Sequence, residues 1–456
     1  MKHLCWIRRD LRLHDHAALA QSLSAETTLV FIFDPHILDK LSDKADKRLT
    51  FIYQSLQEME KTLQKKGSSL LIRYGKPEEE IPKLAQELGI KAVYANRDYE
   101  PYAKKRDELV SKKLKALGID FHQYKDSVIF EKHEILTGSR GLYKVFTPYK
   151  NKWLEVFESQ GKILSNYECE LKHLRKFPNP KNILEHNWYK EMGFSEALPP
   201  LTGGTSQALK RLEAFSSHLK EYKTARDFPA VPGTSNLSPY IRHGNISIRD
   251  MVRTGLSSRS EGAQTWISEL IWRDFYQMIL DTNPRVEKEA FRPEYEQIKW
   301  EGSAADFKVW CDGQTGFPIV DAAMRCLNET GMMHNRLRMI VASFLCKILL
   351  VDWKKGEKYF AQKLLDFDLA ANNGGWQWSS SSGCDAQPYF RIFNPYSQSE
   401  KFDKDGEFIK QWVPEVKSLS GKELHRPPKL PNYPAPIVSY EKNRLRCLAM
   451  YGVVKK

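Results

Sequence analysis

Short apolar runs alternate with longer amphipathic segments over the first 130 residues. One amphipathic segment has apolar residues at helical spacing from Leu49 to Leu63, and two more helices are expected after Pro77 and Pro101. The apolar runs are rich in β-branched and aromatic residues, so five strands are predicted: HLCWI, TTLVFIFD, SLLIRYG, KAVYANRD and DSVIF. Strands that alternate with helices in this way predict an α/β fold with a doubly wound parallel sheet.

The pattern changes twice after this region. Residues 131–200 are irregular and rich in proline toward their end, which indicates a connector along the surface. From residue 201 the apolar spacing is helical and aromatic residues are dense, and a last helix follows a proline-rich stretch after Leu424. We therefore predict an α/β domain at 1–130, a connector at 131–200 and an all-α domain at 201–456.

The composition bears on partners and location. The formal charge is +13 and the pI is about 9.1, which favours nucleic acid or an anionic membrane as partner, with a basic enzyme that binds neither as the alternative. The N-terminus becomes charged after Ile7, and the longest apolar run, Met339–Val351, is short and contains Lys347, so neither a signal peptide nor a membrane span is expected. Seven cysteines without a CxxC pair predict reduced thiols in the cytoplasm and no metal site.

The candidate chemistry lies in the helical part, because the chain contains neither GxGxxG nor GxxxxGK[ST]. In TWISELIWRDFYQMIL, helical spacing places Glu269, Trp272, Arg273 and Tyr276 on one face and apolar residues on another. An indole can stack on a flat ligand while a carboxylate hydrogen-bonds the ligand's edge. We interpret this face as a binding platform, and the alternative is an exposed ion-pair face.

A second helix, MHNRLRMIVASFL, combines an amide, two guanidinium groups and a thioether. Asn335, Arg338 and Met339 share a face at helical spacing, whereas Arg336 points in another direction. Met339 by itself is ordinary core. One arginine is therefore free to pair with an interior carboxylate while the other meets solvent or phosphate.

The segment RDFPAVPGTSNLSPY contains a helix start. Ser238 and Pro239 are predicted as the N-cap and the first helical residue. The hydroxyls of Thr234, Ser235 and Ser238 crowd around this helix start beside Gly233. They predict an anion site, and simple capping is the alternative.

The segment DFDLAANNGGWQW brings together carboxylates, amides and indoles. Asp366 and Asp368 precede NNGG, which is predicted as a turn, and Arg338 is the expected partner of a buried Asp366. Asn372 and its neighbour can donate to or accept from a heteroaromatic nitrogen. The two tryptophans, 376 and 378, would point in different directions on a helix.

Together these segments resemble the photolyase/cryptochrome family over nearly the whole chain. The motifs follow in family order: WIRRDLRLHDH, YKVFTPY, RDFPAVPGTSNLS, ELIWRDFY, TGFPIVDAAMR, MHNRLRM, DFDLAANNGGWQW and PYFRIFNP. Within the family, the chain is most like class I cyclobutane pyrimidine dimer photolyases. The resemblance implies an α/β N-terminal domain and an all-α C-terminal domain that holds FAD and binds DNA.

The resemblance also implies roles for single residues. The positions that match the family's FAD-binding residues are Tyr222, Thr234, Ser235, Asn236, Leu237, Ser238, Trp266, Glu269, Arg273, Asn335, Arg338, Asp366, Asp368 and Asn372. Those that match its contacts with damaged DNA are Arg226, Glu269, Trp272, Asn335, Arg336, Met339 and Trp378. For the chemistry itself, Glu269 would stabilise the charged lesion, Asn372 would meet flavin N5, and an electron relay would consist of Trp376, Trp353 and Trp300.

The implied activity is light-driven: excited reduced FAD gives an electron to a cyclobutane dimer flipped out of the duplex, the ring opens and the electron returns. The alternatives are a cryptochrome photoreceptor, a (6-4) photolyase and a flavin oxidoreductase unrelated to DNA. Plant cryptochromes carry Asp and many animal ones Cys where this chain has Asn372, and the chain ends soon after the helical domain. Photolyases for (6-4) products have a His pair where this chain has His334 and Asn335. The oxidoreductase explains neither the charge nor the tryptophan face.

The family also implies an antenna chromophore, either folate or deazaflavin. Folate-binding relatives carry Asn-Glu where this chain has Tyr102-Ala103, so the identity of the antenna stays open. The expected partner is damaged DNA, with no membrane and no second subunit. The expected location is the cytoplasm, with association to the nucleoid in a bacterium.

Overall fold

The computed structural model describes residues 1–161, 163–177 and 188–455. Contacts group the chain into two compact units. The first unit comprises Met1–Leu142, Tyr149–Leu219 and Ser235–Thr282, and the second comprises Tyr143–Pro148, Lys220–Thr234 and Asn283–Lys456. The boundaries predicted at residues 130 and 200 follow changes in sequence pattern and stay a prediction. Part of the predicted connector, residues 178–187, lies outside the described residues.

The first unit contains a parallel sheet of five strands in the order β3-β2-β1-β4-β5. The strands are β1 (Lys2–Ile7), β2 (Glu26–Phe33), β3 (Leu70–Tyr74), β4 (Ala92–Asn96) and β5 (Asp120–Tyr124). The helices between them are α1 (Ala17–Ser22), α2 (Pro35–Leu38), α3 (Lys47–Gln64), α4 (Pro77–Leu88) and α5 (Pro101–Ala116). Successive β1 residues enter two different apolar clusters, so both faces of the sheet are covered. The predicted doubly wound α/β fold is confirmed.

The fifth strand lies elsewhere than predicted. β5 is the polar segment DFHQY, and DSVIF follows it outside the sheet. Residues 128–130 of DSVIF are buried, but the backbone N–H groups of Ile129 and Phe130 donate to the carboxylate of Asp274 at 3.1 and 3.2 Å. The prediction was wrong because a buried backbone needs hydrogen-bond partners but not necessarily a neighbouring strand.

The rest of the described chain is mainly helical, and short 3₁₀ helices connect some of the α-helices. The α-helices up to residue 282 are α6 (Phe146–Ser159), α7 (Trp188–Glu191), α8 (Thr205–Ser216), α9 (Tyr222–Ala225), α10 (Ser238–His243), α11 (Ile248–Leu256) and α12 (Glu261–Thr282). Those that follow are α13 (Ala304–Cys311), α14 (Pro318–Thr330), α15 (Asn335–Lys347), α16 (Trp353–Lys363), α17 (Leu369–Ser379), α18 (Pro395–Phe402), α19 (Glu407–Trp412), α20 (Gly421–His425) and α21 (Tyr440–Met450).

The second unit has its own apolar core, which includes Trp310, Leu337, Phe344 and Trp376. No strand occurs among its described residues, which confirms the predicted all-α class of the C-terminal part. Within the described ranges, no helix is both long enough and apolar enough to cross a membrane. The same residues contain no group of three or more His, Cys, Asp or Glu side chains that could hold a metal ion.

A buried ion network joins two loops of the first unit to α11. The guanidinium of Arg12 donates to both carboxylate oxygens of Asp126 at 2.8 and 2.7 Å. Arg249 donates through Nε to Asp15 at 2.9 Å and through Nη2 to Asp126 at 2.9 Å. Burial alone would raise the pKa of Asp126, but Arg12 and Arg249 hold it well below its usual value. The network therefore stays ionised and ties these segments together.

We expect Arg249→Met to lower the free energy of unfolding by about 3–5 kcal/mol, because two buried carboxylates lose the guanidinium that pairs with both of them. Lys76→Met is the control, because Lys76 is 59% exposed and so is its partner Glu79. Urea unfolding followed by circular dichroism measures both changes. Equal stability of the two variants would contradict the importance of the network.

Candidate functional site

Helix α12 has the two-sided character that its sequence predicts. Glu269, Trp272, Arg273 and Tyr276 are all partly exposed, whereas the apolar residues of the helix are buried. The rings of Trp272 and Tyr276 stack, with centroids 5.3 Å apart and planes at 29°. The guanidinium of Arg273 donates to the carbonyl oxygen of Ser127. The result is a partly exposed aromatic surface next to a carboxylate.

The sequence did not predict a role for Asp274, which lies on the buried side of α12. Its carboxylate accepts from Trp153 Nε1 at 3.1 Å in addition to the two backbone groups of the DSVIF segment. Burial raises the pKa of Asp274 to about 6 despite these donors. A polar residue at an apolar position of the helix was the only sequence signal for it.

The helix start near residue 238 differs from the prediction by one position. Leu237 is the N-cap, it makes no side-chain capping bond within the described chain, and Ser238 is already the first helical residue. The backbone N–H of Leu237 donates to Ser235 Oγ at 3.4 Å. Asn236 has φ of 50°, which turns the chain before the helix. The prediction of Ser238 as the cap was wrong because proline is tolerated throughout the first turn and does not mark the boundary by itself.

The predicted FAD residues fall in both units. Ser235 to Ser238, Trp266, Glu269 and Arg273 belong to the first unit, where Trp266 is buried against Phe215 with ring centroids 5.1 Å apart. Tyr222 and Thr234 belong to the second unit, where Arg226 lies over the Tyr222 ring at 5.3 Å. The remaining predicted FAD residues also belong to the second unit: Asn335, Arg338, Asp366, Asp368 and Asn372.

The two arginines at the start of α15 have different partners, and the predicted pairing of Arg338 with Asp366 is confirmed, whereas Arg336 also has a carboxylate partner and does not simply meet solvent. Arg338 donates to both carboxylate oxygens of Asp366 at 3.0 and 2.8 Å, and this carboxylate is only 4% exposed. Arg336 pairs with Asp227 at 2.8 Å and lies over the ring of Phe402 at 4.3 Å. The two pairs thus differ in their carboxylates: that of Asp366 is buried, whereas that of Asp227 is one-third exposed.

His334 is the N-cap of α15, which the sequence did not reveal. Its Nδ1 accepts from the backbone N–H of Arg336 at 3.2 Å, so the ring proton is on Nε2. In the described part of the chain Nε2 has no hydrogen-bond partner. Burial lowers the pKa of His334 to about 4, so the ring is neutral at physiological pH. Next to it, Asn335 is exposed and its Nδ2 lies 4.0 Å from Met339 Sδ.

Helix α17 replaces the turn that was predicted at NNGG. Asp368 caps the helix by accepting from the backbone N–H of Ala371 at 3.2 Å, and the helix continues to Ser379. The two glycines were misleading because a strong cap and tertiary packing outweigh their low helix propensity. Trp376 is buried and Trp378 is partly exposed, so the two indoles do point in different directions.

Asn372 is held by Glu357 of the neighbouring helix α16. Its Nδ2 donates to the backbone carbonyl oxygen of Glu357 at 3.1 Å and to Oε1 at 2.8 Å. The amide oxygen is therefore on the side away from Glu357. Burial raises the pKa of the Glu357 carboxyl to about 7, although the bond from Asn372 opposes this shift.

The raised pKa of Glu357 predicts a pH-dependent stability. The folded protein binds a proton more tightly than the unfolded chain, whose value is near 4.5, so stability is highest at low pH and falls as pH rises from about 4.5 to about 7. The loss is at most about 3 kcal/mol. We expect Glu357→Gln to remove this component in FAD-free protein, as measured by urea unfolding at pH 5 and pH 8. A gain in stability at pH 5 that equals the gain at pH 8 would contradict this assignment.

The three tryptophans of the expected relay all belong to the second unit. Trp376 lies edge-on to Trp310 and Phe360, with centroid distances of 6.0 and 5.0 Å. Trp353 is buried, and Trp300 is partly exposed with its ring edge-on to Tyr451 at 6.1 Å. The buried Nε1 of Trp376 has no hydrogen-bond partner among the described residues. Two of the three indoles of the expected relay are thus buried and one is partly exposed, and the relay itself stays a prediction.

The first unit contains the α/β sheet, and the second is helical and rich in indoles and fixed polar groups. Residues 3–170 match the family described as DNA photolyase, and residues 266–453 match the FAD binding domain of DNA photolyase. The chain belongs to the DNA photolyase family.

Individual relatives match the chain over its whole length. A deoxyribodipyrimidine photo-lyase of Synechococcus is 41% identical over 99% of this chain and 96% of its own. A bacterial class III photolyase from Agrobacterium tumefaciens has 34% identity and a TM-score of 0.89, covering 100% of this chain and 98% of the other. A cryptochrome from Synechocystis has 29% identity and a TM-score of 0.87, covering 98% and 99%. Fold similarity therefore does not separate repair enzymes from photoreceptors. The two classes have to be distinguished by their site residues.

Proposed function

We propose that this protein is a deoxyribodipyrimidine photo-lyase that repairs cyclobutane pyrimidine dimers in DNA with light and FAD. The observation that carries the proposal is the pair of fixed groups in the second unit, the amide of Asn372 and the Arg338–Asp366 ion pair. A carbonyl acceptor suits the N–H at flavin position 5, and a fixed guanidinium suits the negative charge of a reduced flavin. The chemistry of these donors and acceptors therefore fits FAD.

The residues proposed to hold FAD are those that the family resemblance indicates, except Glu269 and Asn335, which it indicates for both FAD and the lesion and which are assigned here to the lesion: Tyr222, Thr234, Ser235, Asn236, Leu237, Ser238, Trp266, Arg273, Arg338, Asp366, Asp368 and Asn372. When bound, reduced FAD supplies the electron after it absorbs light. Since Leu237 is buried, its contribution would come from its backbone. The protein's own task is to orient the cofactor and to set the charge around it.

The resemblance indicates lesion contacts from side chains of α12. Glu269 would stabilise the negative charge that the lesion acquires by donating a hydrogen bond from its carboxyl O–H to a pyrimidine carbonyl oxygen, because an ionised carboxylate could only accept. Trp272 would pack on the lesion, and its stacking on Tyr276 keeps the ring in place. The resemblance adds Asn335, Met339 and Trp378 to the lesion contacts, and Arg226 and Arg336 to the phosphate contacts. Because Arg336 pairs with Asp227, phosphate would have to replace this carboxylate.

His334 favours cyclobutane dimers over (6-4) products as substrate. The family resemblance implies that repair of a (6-4) product needs an imidazolium that protonates a leaving hydroxyl. Protonation of His334 would remove the acceptor that caps α15, and burial already lowers its pKa to about 4. A general acid at this position is therefore absent at neutral pH. A cyclobutane dimer opens without such an acid.

Paired oligonucleotides, each with one defined lesion, test the proposal under near-UV light with chemically reduced enzyme. We expect repair of the cyclobutane dimer and negligible repair of the (6-4) product. Glu269→Ala should keep FAD and lower the yield of repair, whereas Glu261→Ala, at the exposed start of the same helix, should change neither. Repair of the (6-4) substrate alone would overturn the choice of lesion, and FAD binding without repair of either would indicate a photoreceptor.

Further proposals concern partners and location. We propose that the protein acts as a monomer on damaged DNA in the cytoplasm, and at the nucleoid in a bacterium. The charge of +13 supports DNA binding through phosphate contacts. An antenna chromophore, folate or deazaflavin, stays unassigned. Tyr102 stacks on His36 at 4.4 Å and its hydroxyl donates to Asp34 at 2.5 Å, so this position has its own internal partners.

A further inference from the structure

The amide of Asn372 has only one possible orientation against Glu357. A backbone carbonyl oxygen can only accept, so the atom 3.1 Å from the carbonyl of Glu357 must be the amide nitrogen. The same nitrogen also lies 2.8 Å from Glu357 Oε1. The reversed amide would place its oxygen against the backbone carbonyl oxygen, which can only accept, and against Oε1, which accepts when the carboxyl is ionised. Glu357 therefore determines which end of the amide faces away from α16.

Close packing of α16 and α17 keeps the two residues together. Gly356 is the residue before Glu357, and a Cβ atom there would lie 2.1 Å from Cη2 of Trp376. Trp376 is four residues after Asn372, so the two side chains share a face of α17. One helix contact thus positions both the amide and the first indole of the expected relay.

We infer that Glu357 is a positioning residue: it holds the carbonyl oxygen of Asn372 toward the flavin and thereby favours the reduced cofactor, whose N5 carries a hydrogen, over the oxidised one, whose N5 accepts. This inference rests on the proposed function and adds a residue that does not itself touch the cofactor. It explains why a carboxyl group is partly buried at this place although burial disfavours its charge. For this role, the ability of the Glu357 side chain to accept a hydrogen bond is more important than its negative charge.

The test compares the affinities of the protein for reduced and oxidised FAD, obtained from the midpoint potentials of free and bound cofactor. Glu357→Leu removes the side-chain acceptor and should lower the preference for reduced FAD by roughly 3- to 10-fold, the worth of one hydrogen bond. Glu357→Gln keeps a carbonyl acceptor and should retain the preference. Glu287→Gln is the control for charge, because Glu287 is exposed and acts on Glu357 only through its field.

A double-mutant cycle with Asn372→Ala separates positioning from a general structural role. If Glu357 acts through the amide, Glu357→Leu has no further effect on the preference in the Asn372→Ala background. Thermal unfolding of FAD-free protein shows which variants fold, and Glu357→Ala replaces Glu357→Leu if the latter does not.

An unchanged preference in Glu357→Leu, or an equal effect in both backgrounds, overturns the inference while leaving the proposed function intact. Failure of the wild-type protein to bind FAD overturns the proposed function, and the inference with it. The two failures are therefore distinguishable.

Discussion

Trp376→Phe is expected to bind FAD and DNA like the wild type but to lose light-driven reduction of bound oxidised FAD. Phenylalanine is much harder to oxidise than tryptophan, so the rate should fall at least roughly tenfold, which corresponds to only about 1.4 kcal/mol of added barrier. The environment of Trp376 suits a relay: its N–H has no acceptor among the described residues, so an oxidised indole cannot easily lose its proton and settle there. Transient absorption after a flash measures the reduction.

Trp378→Phe is the matched control, because this indole lies on the same helix two positions on and is partly exposed. It should photoreduce normally. Trp376→Phe should repair a cyclobutane dimer when FAD has been reduced chemically, because that reaction does not need the relay; Trp378→Phe is a control for photoreduction only, since Trp378 is itself a proposed lesion contact. Wild-type photoreduction in Trp376→Phe would mean that electrons enter by another route.

Arg338→Leu is expected to lower stability by about 3 kcal/mol and to weaken FAD binding, since it leaves the buried carboxylate of Asp366 without its cation. Arg336→Leu offers a close comparison two residues earlier on the same helix. Its partner Asp227 is 33% exposed, so water can solvate the carboxylate that remains, and the expected loss is about 1 kcal/mol or less.

Urea unfolding and FAD titration of the two variants give the comparison. Arg336→Leu should weaken binding of damaged duplex and reduce its salt dependence by about one unit of slope if Arg336 meets one phosphate. Similar stability losses in the two variants would show that burial of the partner carboxylate does not determine the size of the loss. An unchanged salt slope in Arg336→Leu would exclude Arg336 from the phosphate contacts.

Hydrophobic periodicity predicted most of the fold. The spacing of apolar residues in the sequence reflects directly which face of a helix or strand is buried. The parallel sheet, α12 and α15 follow from apolar spacing. The errors occurred where a polar partner far away in sequence decides the local structure. Asp274 takes the backbone hydrogens of DSVIF and keeps it out of the sheet, although the two are more than 140 residues apart.

For the site, charge complementarity predicted the Arg338–Asp366 pair, because a buried carboxylate needs a cation. Glu357 and His334 were not predicted. A glutamate in the charged run KKGEK predicts a solvated position, and histidine is an uncommon cap compared with Ser, Thr, Asp or Asn. The roles of Glu357 and His334 both depend on which helix ends and helix faces meet in the folded chain.

The position of Asp274 also protects the protein against association. DSVIF is a short apolar segment of the kind that pairs with other chains when its backbone is exposed, and β5 is the open margin of the sheet next to it. Because the carboxylate occupies two of its amide hydrogens, this segment cannot extend the margin. Asp274→Leu removes this carboxylate and would free the backbone of the segment to pair with other chains. We expect insoluble protein during expression as its first effect, before any slower photoreaction.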